Sequence, residues 1–133
     1  MKLRIKRSKI FSDITGDLIP FYKKKSLENF NIKRFFFIYG NKKHLRADHA
    51  HKKCNQILIP VQGKIEVDVT NLKNKRKKFL LNLKDNNILF VPKFNWIKLK
   101  FLEKNSILLT LCDYKYDKKE YIQLKSKFFK YEM

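Results

Sequence analysis

Residues 46–70 read RADHAHKKCNQILIPVQGKIEVDVT. Within this stretch, 64–70 (KIEVDVT) alternates apolar and polar residues with period two, the pattern of a half-buried strand. Before it, 55–61 (NQILIPV) is an apolar run of strand length interrupted by Pro60, and Gln62-Gly63 forms the turn between the two. The same grammar continues on both sides. Residues 33–39 (KRFFFIY) are aromatic and β-prone, and 40–45 read as a loop. A basic hairpin tip at 71–77 leads to a return strand at 78–83, a turn at Asp85-Asn86-Asn87 and a short strand at 88–91 ending before Pro92. Residues 96–101 (WIKLKF) alternate again, and 106–112 (SILLTLC) read as a fully buried strand. Many short strands with turn signals every eight to twelve residues predict an all-β sandwich or barrel. Residues 121–131 differ. Their apolar spacing is loosely helical, with Ser126 as the expected cap of a short C-terminal helix over one end of the barrel or a partner subunit.

The totals agree. The chain has 133 residues, is 44% hydrophobic and 14% aromatic, and fits one domain over 1–133 with a real core. Only three Gly and three Pro are present, so the turns must rely on Asn, Asp and Lys. The formal net charge of +20 suits a polyanion partner, but Lys dominates over Arg, which favours a solvated Lys-rich surface. No recognised nucleic-acid motif accompanies it, so no specific nucleic acid is expected. Cys54 and Cys112 are the only cysteines, expected as small core residues of apolar strands in a reducing compartment. The longest apolar runs are strand-length, and residues 1–11 lack an apolar signal core. A cytoplasmic location away from the membrane is the expectation.

The chemistry concentrates at His49 and His51. In an extended strand residues i and i+2 share a face, so both imidazoles project together and Ala50 turns away. Two imidazoles on one face suit metal binding or proton transfer near neutral pH. The positions a few residues on, where a metal site would place Glu, hold Asn55 and Gln56, and the only other histidine, His44, lies in a loop. That donor set is poor for a first-row metal, so no metal and no other cofactor is expected. The neighbouring cations Arg46 and Lys52 are expected to lower the imidazole pKa values and keep a neutral base available. A basic β-barrel that stacks bases on its aromatics, with the 71–78 hairpin as its contact, is the competing non-enzymatic reading. A metal-dependent cupin enzyme is the other.

The ordered set RFFFIY (34–39), RADHAHKKCNQILIPVQGKIEVDV (46–69), LFVPKFNW (89–96) and SILLTLCDYKYDKKEYI (106–122) resembles the sugar nucleotide 3,4-ketoisomerase family across about residues 14–131. The resemblance implies a cupin, that is, a jelly-roll barrel or double-stranded β-helix. It implies a homodimer without a catalytic metal that converts dTDP-4-keto-6-deoxyglucose to a 3-keto isomer through an enediol. That product feeds 3-amino-3,6-dideoxy sugars of bacterial surface glycans such as lipopolysaccharide O-antigen. By motif, His49 is the base at C3 and His51 the relay or second acid/base. Arg46 matches the motif arginine and suits a phosphate or the enediolate. Arg34 and Lys52 are motif cations of the same rim. Gln56 suits a sugar hydroxyl, Tyr39 keeps the hydroxyl of its motif position, and Trp96 is expected either to wall the pocket or to pack in the core. The chain departs from the pattern at Phe36-Phe37 (Tyr-Tyr), Thr15-Gly16 (Arg-Gly), Ala47 (Gly) and Ile97 (a polar residue).

Overall fold

A computed structural model describes residues 1–132. Eight strands form the frame: β4 (Arg34–Tyr39), β5 (Arg46–His51), β6 (Gln56–Gln62), β7 (Lys64–Asn71), β8 (Arg76–Asn82), β9 (Asn87–Val91), β10 (Asn95–Phe101) and β11 (Ile107–Cys112). Their pairing is nested. β7 pairs with β8, β6 with β9, β5 with β10 and β4 with β11, all antiparallel. A single long hairpin has therefore rolled up into two facing sheets, the jelly-roll form of cupins. The first sheet runs β1-β9-β6-β11-β4 and the second β12-β5-β10-β7-β8, with β1 at Arg4–Arg7 and β12 at Tyr121–Ile122.

Side-chain alternation sets what each face buries. Leu58, Leu89, Val91 and Leu108 of the first sheet meet Ile65, Val67, Val69, Leu81, Ile97, Leu99 and Phe101 of the second in the central core. The apolar run of β6 is continuous because its other face is covered too. Ile57 and Ile59 pack with Ile88 and Phe90 under Leu27 and Phe30 from the N-terminal segment. Pro60 lies beyond the β6–β9 ladder, which ends at Leu58, so no ladder bond to β9 is lost there.

Asparagine serves the turns as the composition requires. Asn29, Asn74, Asn86 and Asn105 all hold left-handed backbone with φ between 56° and 64°, a region Asn tolerates better than other residues with a Cβ. Gly63, at φ 77° in the expected β6–β7 turn, lies against Ser106, where a Cβ would collide.

Several expectations need correction. The charged N-terminus, where the sequence reading placed no strand, is part of the sheet system. It adds β1 to the first sheet and a small hairpin of β2 (Phe11–Asp13) and β3 (Gly16–Leu18). β8 starts at Arg76 rather than 78, because Arg76 pairs with Thr70 and its guanidinium grips Asp68. The C-terminal helix α1 spans only Lys125–Phe128. Leu124 stands at its cap with no side-chain bond, and Ser126 lies inside it. Residues 121–122, expected as helix, instead pair with β5. Phe128 packs onto Ala50, Trp96 and Ile122 outside the second sheet. Cys112 ends β11, but Cys54 lies in the loop before β6; both are free and buried. No helix of the described residues is long and apolar enough to cross a membrane.

Candidate active site

The decisive local feature is a bulge in β5. Ile97 of β10 faces His49 and Lys98 faces Ala47, so Asp48 is the extra residue. Ala47 and Asp48 both take positive φ, 67° and 58°. The motif glycine is replaced by Ala47 at one of these strained positions. Beyond the bulge the alternation holds. Ala50 is fully buried on the outer face, and His49 and His51 point inward.

Hydrogen bonds fix both histidine tautomers. His51 Nδ1 lies 2.5 Å from Glu120 Oε2, and this carboxylate is almost fully buried. An ionised carboxylate only accepts, so Nδ1 carries the hydrogen and Nε2 keeps its lone pair. Glu120 Oε1 accepts from the backbone N–H groups of Lys53 (3.1 Å) and Cys54 (3.0 Å), which holds the carboxylate in place. His49 Nδ1 lies 3.1 Å from the Ala47 carbonyl oxygen, another pure acceptor, so its Nε2 is likewise the free base. His51 Nε2 is buried and has no protein partner.

Both imidazoles are held neutral. Burial is the main reason the His49 pKa falls from 6.5 to about 4, and the adjacent His51 adds to it. Burial also lowers His51, assisted by Arg34 and opposed by Glu120. The neighbouring sequence cations Arg46 and Lys52 are not the cause.

Tyr121 completes the cluster. Its ring centre is 4.4 Å from that of His51 and 5.0 Å from that of His49, and the two imidazoles meet edge to face at 4.8 Å. Arg34 Nη2 donates to the Tyr121 hydroxyl at 3.1 Å, and its Nε donates to the Tyr114 carbonyl. Burial raises the Tyr121 pKa above its ordinary value, against the pull of Arg34, so the group is a phenol at neutral pH.

Of this cluster, His49 and Tyr121 line a cavity of about 160 Å³ between the sheets, and His51 is buried beside His49 without lining it. The cavity wall includes His49, Arg46, Gln56, Phe36, Thr110 and Tyr121. Arg46 is exposed and stands at the mouth; Gln56 is buried, its amide 3.6 Å from Cys112 Sγ. An adjoining groove of about 390 Å³ shares Tyr121 and is lined by Lys52, Lys118 and Lys127. Among the described residues, no three His, Cys, Asp or Glu side chains converge as a metal-binding group.

Two of the candidate residues lie elsewhere. Trp96 shares the outward face of Ala50, is buried against Phe128, and donates its indole N–H to Asp48 at 3.0 Å. It serves the core, not the cavity wall. Tyr39 is 75% exposed in the outward row of β4 with Phe35 and Phe37, and His44 is exposed in its loop. Three residues escaped the sequence reading. Thr110 sits in an apolar run, and its Oγ1 is buried, without a partner, on the cavity wall. Glu120 and Tyr121 lie about 70 residues from the histidines, Tyr121 at the start of the segment read as helical and Glu120 just before it. Their place in the DKKEYI run, part of the family motif, was the available signal.

The sequence profile of the FdtA family, described as WxcM-like, C-terminal, matches residues 1–133. The chain is 26% identical over 132 residues to the TDP-4-oxo-6-deoxy-alpha-D-glucose-3,4-oxoisomerase of Aneurinibacillus thermoaerophilus, covering 98% of this chain and 93% of that one. Its fold is similar to a 3,4-ketoisomerase from Helicobacter canadensis, with TM-score 0.87, 31% identity, and 97% and 96% of the two chains covered. It is also similar to QdtA, a sugar 3,4-ketoisomerase from Thermoanaerobacterium thermosaccharolyticum solved in complex with TDP, with TM-score 0.86, 26% identity, and 96% and 91% covered. From its first residue to its last, then, this jelly roll with its inward-facing histidine pair belongs to the FdtA, WxcM-like C-terminal family.

Proposed function

We propose that this protein is an isomerase that moves the ketone of dTDP-4-keto-6-deoxyglucose from C4 to C3. The observation that carries this is His49, tautomer-fixed and uncharged, on the wall of a cavity between two sheets. Relatives with 3,4-ketoisomerase activity over nearly the whole chain support it. The C3 proton is acidified by the neighbouring ketone. His49 Nε2 takes it, an enediol forms, and a proton returns at C4. His51, backed by Glu120, is the relay that shares the proton with His49. Arg46 at the mouth is placed for a phosphate or enediolate oxygen, and Gln56 for a sugar hydroxyl. The Lys52 groove suits the diphosphate, because three cations line it beside Tyr121. The 3-keto sugar nucleotide then goes to transamination, in the cytoplasm, for a 3-amino sugar of surface glycans. No metal enters these steps.

The active form in this reading is a homodimer. β4 is an edge strand whose outward row is Phe35, Phe37 and Tyr39, 62%, 49% and 75% exposed. An aromatic edge of this kind seeks a covering chain. A Phe37→Lys variant that stays dimeric by light scattering would remove β4 from the interface.

Incubation with dTDP-4-keto-6-deoxyglucose in D2O tests the activity. A 3-keto product labelled at the carbons that exchange protons is expected, and His49→Asn abolishes it. Absence of both exchange and product in the native protein refutes the function.

A further inference from the structure

We infer that Tyr121 is a catalytic residue that carries the oxygen protons of the reaction, leaving the histidines to carry the carbon proton. This rests on the ketoisomerase reading. A ketone shift between adjacent carbons moves two kinds of proton. One leaves C3 and one arrives at C4; separately, O4 gains a proton and O3 loses one. The histidine pair accounts for the first exchange only. Among the cavity-lining residues, Tyr121 has a hydroxyl able both to donate and to accept, fixed in place and next to the imidazoles. Thr110 also offers a hydroxyl, but no cation touches it among the hydrogen bonds of the described residues, whereas the Arg34 guanidinium donates to Tyr121 at 3.1 Å. A phenolate formed at Tyr121 is stabilised by that cation; an alkoxide at Thr110 has no such support.

The steps balance. His49 removes the C3 proton, and the C3–H electron pair becomes the C3–C4 double bond. The C4–O π pair takes the proton of the Tyr121 hydroxyl, giving a neutral enediol, an imidazolium and a tyrosinate held by Arg34. The imidazolium then returns its proton to C4. The tyrosinate accepts the O3 proton, and that O–H pair becomes the new C3–O π bond. Both side chains end as they began, and neither an oxidant nor a co-reactant is required. One phenol serves both oxygens because they sit on neighbouring carbons.

Tyr121→Phe keeps the ring against both imidazoles and removes only the hydroxyl. It is compared with the native protein in D2O, following deuterium entry at C3 of the 4-keto substrate and formation of the 3-keto product separately. The expected result is uncoupling. Product formation falls by about 100-fold or more while C3 exchange persists and KM changes little. Native-like product formation by Tyr121→Phe overturns the assignment. So does a loss of exchange in equal measure with product, since that places Tyr121 in the carbon step or in the positioning of His49. His49→Asn, which loses both signals, is the reference. If the native protein itself shows neither signal, the ketoisomerase reading fails first, and the two failures are distinct. Arg34→Lys is the second variant. It keeps the charge but loses the paired fork, and it should lower product formation in the same uncoupled way, with a pH–rate profile displaced on the alkaline side.

Discussion

Replacing Glu120 with Gln reverses the polarity of one buried hydrogen bond and leaves the rest of the site in place. The native carboxylate accepts from three donors: His51 Nδ1 at 2.5 Å and the Lys53 and Cys54 amides at 3.1 and 3.0 Å. Gln retains one oxygen for the two amides, but its NH2 group now faces His51. That imidazole must present a lone pair at Nδ1 and move its hydrogen to Nε2, the atom that is base in the native protein. A charge-assisted bond becomes a neutral one, at a cost of about 1–2 kcal/mol. For a chain of this size the midpoint drops by roughly 3–8 °C in thermal denaturation. A wrong tautomer costs a catalytic triad about 10⁴ in kcat; for a relay histidine behind the base the expected loss is about 10²–10³. The assay joins turnover with nitrogen NMR of the imidazoles, which reports which ring nitrogen bears hydrogen. Unchanged kcat, or a His51 still protonated at Nδ1 in the Gln variant, refutes the reasoning. Glu120→Ala is a poorer probe. It leaves three donors without an acceptor at about 1–3 kcal/mol each, a sum that rivals the ~5–15 kcal/mol of a whole domain.

Three further outcomes follow from the same geometry. Between pH 6.5 and about 4 the unfolded chain protonates His49 while the folded one does not, so stability falls with pH across that window by up to about 3 kcal/mol. Urea titrations at stepped pH should show this slope flattened in His49→Asn, and the acid limb of kcat/KM should lie well below 6.5; a limb at 6.5 contradicts a buried neutral base. Ala47→Gly relieves a φ of 67° and should stabilise by roughly 0.5–1 kcal/mol despite the flexible unfolded state, read as a higher urea midpoint; a lower midpoint shows that the bulge carries no strain. Thr110→Val removes a buried hydroxyl without a partner, so stability should hold or rise while KM increases about 3- to 10-fold through loss of one substrate hydrogen bond; an unchanged KM takes Thr110 out of the substrate's reach.

The strands were legible because burial on one face leaves a period-two trace. β7 and β10 carry it as KIEVDVT and WIKLKF, and the paired histidines carry it on β5. Asparagine-rich turns followed from a chain with only three glycines, and four asparagines do hold left-handed backbone. The N-terminal strands left no such trace. β2 and β3 are exposed throughout and β1 is half-buried at most, so their pairing is written in backbone bonds and not in side chains. The C-terminal segment misled for the opposite reason. Tyr121 meets the cavity, Ile122 and Phe128 meet the outer core, and Leu124 is exposed, yet their spacing imitates a helix.

The sequence by itself determined an all-β sandwich or barrel and the histidine pair, because both are consequences of local alternation along a strand; the jelly-roll form came from its resemblance to a family. Only the tertiary structure decided how that pair is tuned. The β5 bulge aims His49, and the rolled hairpin leaves Gln56 on the cavity wall and sends Trp96 to the opposite face. Closure of β12 against β5 brings Glu120 and Tyr121 across nearly seventy residues to the imidazoles. The tautomers, the low pKa of His49 and the Arg34–Tyr121 bond all depend on burial and on partners distant in sequence. No local pattern encodes a contact between segments that meet only when the two sheets close.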